Sequence, residues 1–263
     1  MIRVGIVGAV GFGGRELVRL LSAHPAAELL MATELEPGQP LAEVLPAFGK
    51  MTKVVLEPFD AVSIAERCDV VFVAVPGTKS MGLVSELRRA RARVIDIGPD
   101  FRLKNAEVFA QYYGVPHTAS ELLPSAVYGL PAFYRDAIRH AGLVAVPGCY
   151  PISVIVPLRP LVDHISRDVP VAVNSISGVS GAGRGLHESF HFPEMNENVR
   201  AYKVAVHQHT PEIEQELGNQ VTVQFTPHVG PYTRGILTTI VLRPQTRVQP
   251  AICYERYRDE PFI

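Results

Sequence analysis

The rhythm of apolar and polar positions changes near residue 150 of this chain. Before it, short apolar runs alternate with helical patterns. Ile2 to Gly8 (IRVGIVG) suits a buried strand, and Leu17, Leu20 and Leu21 then recur at helical spacing in RELVRLLSAH. Ala27 to Thr33 (AELLMAT) reads as a second strand and KVVLE near Val54 as a weak one. Asp69 to Pro76 (DVVFVAVP) reads as a fully buried strand closed by Pro76-Gly77. An amphipathic helix from Lys79 to Arg91 follows, then the strand ARVIDIG, and a further strand from Gly142 to Gly148 (GLVAVPG). Such alternation predicts a parallel sheet with helices on both faces.

After this point long alternating stretches dominate, at Pro170 to Gly181 and at Gln220 to Pro244. They predict a strand-rich second domain. The expected division is therefore 1–149 for an α/β, Rossmann-type domain and 150–263 for an α+β domain with a mixed, largely antiparallel sheet.

Composition narrows the class. Of 263 residues, 47% are hydrophobic and 19% charged, which supplies a globular core, and the formal net charge of -1 gives no basic footprint for nucleic acid. Three cysteines, Cys68, Cys149 and Cys253, are too few and too scattered for a disulfide framework or a structural zinc site. They suit a reducing, cytoplasmic setting. Glycines break the N-terminal apolar run before any signal-peptide cleavage pattern. Pro147, Pro151 and Pro157 interrupt the stretch from Leu143 to Leu161, so it is not read as a membrane span. A soluble protein is expected.

Two turns carry candidate chemistry. Gly8, Gly11 and Gly14, with an extra Gly13, lie between the first strand and the first helix. Glycines there let backbone approach a phosphate at a helix N-terminus, and the strand–turn–helix context favours a dinucleotide over a turn without ligand. Glu34, just past the second strand, stands where a carboxylate grips a ribose 2′-hydroxyl, which favours NAD; a solvated loop residue is the alternative. The second turn is AVPGCYPIS. Cys149 follows a buried strand and opens a helix with Pro151 in its first turn, a place that stabilises a thiolate. A nucleophile is favoured over a packed thiol.

In VHQHTPEIEQEL, His207 and His209 precede a helix expected to be capped by Thr210, with Glu212 placed to accept a hydrogen bond from the His209 ring. The two histidines could also be a metal pair, but no third ligand is recognisable. Arg102 in PDFRL, the small-residue stretch SISGVSGAGRG with its potential backbone anion nest, Arg184 and Arg234 suggest an acidic substrate.

Together GAVGFGGREL, DFRL, VYGLP, VPGCYP, SGVSGAGR, HQHTPEI and the RGI at Arg234 resemble the N-acetyl-gamma-glutamyl-phosphate reductases, relatives of aspartate-semialdehyde dehydrogenase, in family order across essentially the whole chain. The resemblance implies NADPH-dependent reduction of an acyl phosphate to an aldehyde in arginine biosynthesis, through a thioester on Cys149. His209 would be general acid/base, with His207 as second choice and Glu212 orienting. It implies cofactor contacts at Gly8, Gly11, Phe12, Gly13, Gly14, Thr33, Pro76, Ser177, Gly178 and Gly181. Substrate contacts would fall at Arg102, Ser180, Arg184 and Arg234, with no metal, and the chain would form a homodimer or homotetramer. Glu34 departs from the pair suited to a 2′-phosphate and keeps NAD open. GPD replaces SAD before FRL, and the chain stops at YRDEPFI, earlier than its relatives, so a truncated product is expected. The alternatives are the lysine-pathway reductase, whose substrate is one methylene longer, and an inactive nucleotide-binding homologue. Pro147, Tyr150 and Pro151 favour the arginine enzyme over the first.

Overall fold

The computed structural model describes residues 1–34, 37–49 and 51–263. It divides into two compact units, Met1–Pro147 and Gly148–Ile263.

Among the described residues the first unit is built on a seven-stranded sheet of β1 (Ile2–Val7), β2 (Ala27–Thr33), β3 (Leu56–Glu57), β4 (Val70–Val73), β5 (Val94–Asp96), β6 (Val127–Tyr128) and β7 (Leu143–Ala145). Its order is β3-β2-β1-β4-β5-β7-β6, and every pairing is parallel. Parallel strands must be covered on both faces, and two apolar clusters do this. One gathers Ile64, Val71, Val84, Leu87 and Phe109; the other Ile6, Val18, Ala32 and Leu41. The strands are shorter than their apolar runs. KVVLE supplies only the two residues of β3, and the Asp69 to Pro76 run pairs only over Val70–Val73.

The order of strands reverses between β1 and β4. A doubly wound sheet binds ligands in the crevice outside that point. Two turns border it here, the one after β1 and the one after β4. They touch: Ala74 N–H donates to Val7 O, and a Cβ on Gly8 would lie 2.7 Å from Ala74 O.

The second unit carries a sheet of order β11-β8-β10-β9 among the described residues, formed by β8 (Val171–Gly178), β9 (Arg200–Ala201), β10 (Val223–Gly230) and β11 (Ile236–Val241). β8 and β10 pair in parallel over eight positions, and the two outer pairings are antiparallel. Alternation along β8 and β10 turns Val171, Val173, Val223 and Phe225 to one face. There they pack with Tyr150, Val154 and Leu158 of the helix Cys149–Leu158 and with Ile213 of the helix His209–Glu216. Each such side chain contributes roughly 1.5–3 kcal/mol. That shared core brings the starts of the two helices together. The Tyr257 and Tyr254 hydroxyls donate to the Val156 and Pro157 carbonyls at 2.6 and 3.1 Å, holding the far end of the first helix.

Candidate active site

Cys149 is exposed and is the first residue of its helix. Gly148, the N-cap, has φ -64 and ψ 152 and no side-chain cap, so the helix opens towards solvent at the thiol. The Gly148 amide is held by Glu212, whose Oε1 accepts from it at 2.8 Å. Glu212 is almost wholly buried, and this bond joins the cysteine turn to the histidine helix.

Tyr150 builds the floor beneath. Its ring meets the edges of His207 and His209 at centroid distances of 5.6 and 5.8 Å and packs on Phe225 at 5.2 Å. Its hydroxyl donates to His228 O at 2.9 Å and receives the Tyr202 hydroxyl at 3.1 Å. Burial raises both phenols above their ordinary range, so they stay protonated.

The two imidazoles differ. His207 is enclosed by Tyr150, Tyr202, His209 and Phe225. Burial, and secondarily the charge of Lys203, pushes its pKa down to about 4, so it is neutral near pH 7. Its Nδ1 accepts the His209 amide at 3.1 Å, which leaves the ring proton on Nε2. This bond also corrects the expected capping. The helix begins at His209 with Gln208 at the N-cap, no side chain caps it, and Thr210 lies inside with its amide on His207 O. The His207 ring instead satisfies the amide of the first helical residue.

The turn after β1 has the form of a nucleotide cradle. Gly8 has φ +88, which L side chains rarely adopt, and its amide donates to Thr33 O at 3.1 Å. A Cβ on Gly14 would lie 2.2 Å from Gly8 O. Gly11 is the N-cap of the helix Phe12–Ser22, with no capping side chain and no acid in the first turn. Gly13 has only ordinary contact, Ile97 Cγ2 at 3.9 Å, and Phe12 and Pro76 are exposed. Glu34 Oε1 accepts the Val10 amide within this turn at 2.7 Å, so Glu34 is a partner of the turn and not a solvated loop residue. The residues fit a dinucleotide because the glycines at 8 and 14 let strand, turn and helix pack against backbone, while a Cβ on Gly11, at the uncapped helix start, would meet nothing closer than Ala74 O at 3.8 Å.

Ser177, Gly178, Ser180, Gly181 and Arg234 lie together in the second unit, at the end of β8 and the segment before β11, and Arg184 follows three residues after Gly181. A Cβ on Gly178 would meet Arg234 N at 2.8 Å, so only glycine lets these backbones pass. The expected anion nest is not formed by four of the amides: Gly178, Val179, Ser180 and Gly183 donate to Gly235, Tyr232, Thr233 and Ser180 carbonyls. Arg184 and Arg234 are exposed.

Arg102 is placed differently from expectation. It is buried, and its Nε and Nη2 donate to Val146 O at 2.7 Å and Ile97 O at 2.9 Å. It therefore braces the ends of β5 and β7. Beside it lies a cluster that the pattern reading passed over: Asp96 and Asp100, both fully buried, on either side of the Ser80 hydroxyl. Two acids four apart in IDIGPDFR were the available signal. Among the described residues no group of three or more His, Cys, Asp or Glu is arranged to hold a metal, and no helix is long and apolar enough to cross a membrane.

Comparison with known proteins gives the family. Residues 3–141 match the family described as Semialdehyde dehydrogenase, NAD binding domain, and 149–263 match its dimerisation domain. N-acetyl-gamma-glutamyl-phosphate reductases from Magnetococcus marinus, Desulforamulus reducens and Pelotomaculum thermopropionicum are 45%, 46% and 47% identical over the whole of this chain. The chain belongs to the N-acetyl-gamma-glutamyl-phosphate reductase family. It spans 78–79% of the length of these relatives. The fold is that of the aspartate semialdehyde dehydrogenases. The Candida albicans enzyme, solved with NADP, has TM-score 0.70 at 16% identity, covering 98% of this chain and 76% of that one. The Vibrio cholerae enzyme has TM-score 0.70 at 16%, covering 97% and 78%. Family membership makes this chain an oxidoreductase with a pyridine-nucleotide domain, as the glycine turn and the strand reversal indicated.

Proposed function

We propose that the chain reduces N-acetyl-gamma-glutamyl phosphate to N-acetylglutamate 5-semialdehyde, with release of phosphate, in cytoplasmic arginine biosynthesis. The observation that carries this reading is the exposed Cys149 thiol at an uncapped helix start, tied through Gly148 and Glu212 to the helix that bears His209.

Cys149, as thiolate, attacks the acyl carbon. The C–O bond to phosphate breaks with its electron pair on the leaving group, and a thioester remains. The reduced pyridine nucleotide, held in the first unit at Gly8, Gly11, Phe12, Gly13, Gly14, Thr33 and Pro76, supplies a hydride when bound; Ser177, Gly178 and Gly181 are proposed as further cofactor contacts from the family resemblance alone. His209 takes the thiol proton at the attack and later gives a proton to the oxygen formed from the carbonyl. It takes that proton back as the C–S bond breaks, so the sulfur leaves as thiolate with the bonding pair and the aldehyde is freed. His207 is a poor exchanger of protons because it is neutral and its Nδ1 is committed to the His209 amide; it orients His209. Ser180, Arg184 and Arg234 meet the anionic substrate, and Arg102 acts by bracing the strand ends.

NADPH is the proposed cofactor, from the family resemblance; the Glu34 carboxylate beside the turn is the feature that would let NADH compete. Self-association is proposed through the second sheet, where Leu237 and Val241 of the edge strand β11 are exposed. The test is a reductase assay with this acyl phosphate and with the aminoadipyl analogue one methylene longer, each with NADPH and NADH. Preference for the shorter substrate is expected; preference for the longer one would assign the chain to the lysine-pathway reaction.

A further inference from the structure

The cluster at Ser80, Asp96 and Asp100 takes no part in the chemistry above, yet it ties together both walls of the cradle. Asp100 Oδ1 accepts the Thr78 amide at 2.7 Å, and its Oδ2 accepts the Ser80 amide at 3.0 Å and the Ser80 hydroxyl at 2.9 Å. Asp96 Oδ1 accepts the Gly98 amide at 3.1 Å, and its Oδ2 lies 3.1 Å from Ser80 Oγ. Thr78 is held at φ 67, a conformation costly for a β-branched residue unless its surroundings fix it. The segment so fixed, Pro76 to Lys79, follows Ala74, whose carbonyl faces Gly8 and Gly11. On the other side Ile97, next to Asp96, touches the position of a Gly13 Cβ.

Proton counting makes the cluster sensitive to pH. The hydroxyl has one proton for two carboxylates. If it goes to Asp100, the oxygens of Asp96 and Ser80 face each other with no hydrogen between them unless Asp96 is itself protonated. Desolvation first, and the nearby Asp100 charge second, push the Asp96 pKa up to about 7. The groups facing Asp96 are Asp100, Ser80, the Gly98 amide and Arg102; the Arg102 guanidinium favours ionisation but is turned to Val146 O and Ile97 O. Asp100 is anchored from behind as well: its carbonyl accepts His117 Nε2–H at 2.8 Å, since Nδ1 of that ring accepts the Ala119 amide.

We propose that Asp96, Ser80 and Asp100 form a relay of two hydrogen bonds with one titratable proton, Asp96 O–H to Ser80 Oγ–H to the Asp100 carboxylate, that positions the turn after β4 for the pyridine nucleotide. Loss of the Asp96 proton sets two carboxylates against one hydroxyl and loosens the turn. The relay rests on the reading of the first unit as a nucleotide domain. Asp96, Ser80 and Asp100 are positioning residues, acting through Thr78 and the backbone of Pro76–Lys79.

The test is the Kd of NADPH by nucleotide fluorescence between pH 6.0 and 8.5, for wild type, Asp96→Asn and Ser80→Ala. Asn keeps an acceptor for Gly98 and donates to Ser80 at every pH, so it mimics the protonated acid. Wild-type Kd is expected to rise about fivefold or more relative to Asp96→Asn across the interval, as ionisation of one coupled group allows. The titration of the 2′-phosphate is common to both proteins and cancels in the ratio. Ser80→Ala, lacking the shared hydroxyl, is expected to bind several-fold more weakly than wild type already at pH 6.0. Parallel pH profiles for wild type and Asp96→Asn, or unweakened binding by Ser80→Ala at pH 6.0, overturn the relay alone. Binding of neither NADPH nor NADH by wild type at pH 6.0 overturns the nucleotide reading and the relay with it.

Discussion

Glu212 sets a buried carboxyl group on the amide that precedes the nucleophile, and as a carboxylate it would oppose the helix N-terminus in its effect on the thiol. Its value must lie in position. Glu212→Gln keeps an oxygen for the Gly148 amide but loses the charge-assisted part of the bond, about 1 kcal/mol or more. The expected result is a roughly tenfold fall in kcat, from a cysteine turn held less firmly, together with Cys149 labelling by iodoacetamide at lower pH than in wild type. A labelling profile shifted to higher pH would show that the carboxylate does not act on the sulfur in this way. Residue identity was legible here before its role was. Cys149, His209 and Glu212 stood out by type and spacing, whereas the bond from Glu212 to Gly148 spans 64 positions and no local pattern encodes it. The same holds for Tyr202, which reaches the site only through Tyr150 and His207.

Elements were legible where a rule of periodicity or steric exclusion applied. β1, β2 and the helix between them follow from the apolar runs and the glycine turn. The Thr210 cap failed because the local rule knows hydroxyl and carboxamide caps but not an imidazole folded back on the amide two residues ahead. The weak strand near Val54 shrank to two residues at the sheet edge, where pairing on one side alone leaves less to hold it. The glycine spacing also separates required from incidental positions. Gly14→Ala would drive a Cβ into the backbone of Gly8 and Ala9, at an expected cost of about 1–3 kcal/mol and with loss of NADPH binding. Gly13→Ala meets only ordinary contact and, being inside a helix, is expected to stabilise by up to about 1 kcal/mol. Urea unfolding of the two variants measures the difference, and equal effects would refute the packing account.

At the scale of the whole molecule, the expected division left Cys149 at the end of the first domain, 1–149, whereas the compact units are Met1–Pro147 and Gly148–Ile263. The nucleophile stands just after that boundary, so the cysteine turn belongs to the unit that carries the histidines. The sequence pattern did not show that β8 and β10 run parallel, because alternation specifies a face and not a direction. The central claim is that Cys149 carries the substrate as a thioester. Intact mass spectrometry after mixing the protein with N-acetyl-gamma-glutamyl phosphate in the absence of nucleotide tests it most directly. One N-acetylglutamyl adduct per chain, mapped to Cys149 and absent from Cys149→Ala, is the predicted result. An unmodified wild-type chain that still reduces the substrate on addition of NADPH, or an equal adduct on Cys149→Ala, would contradict it.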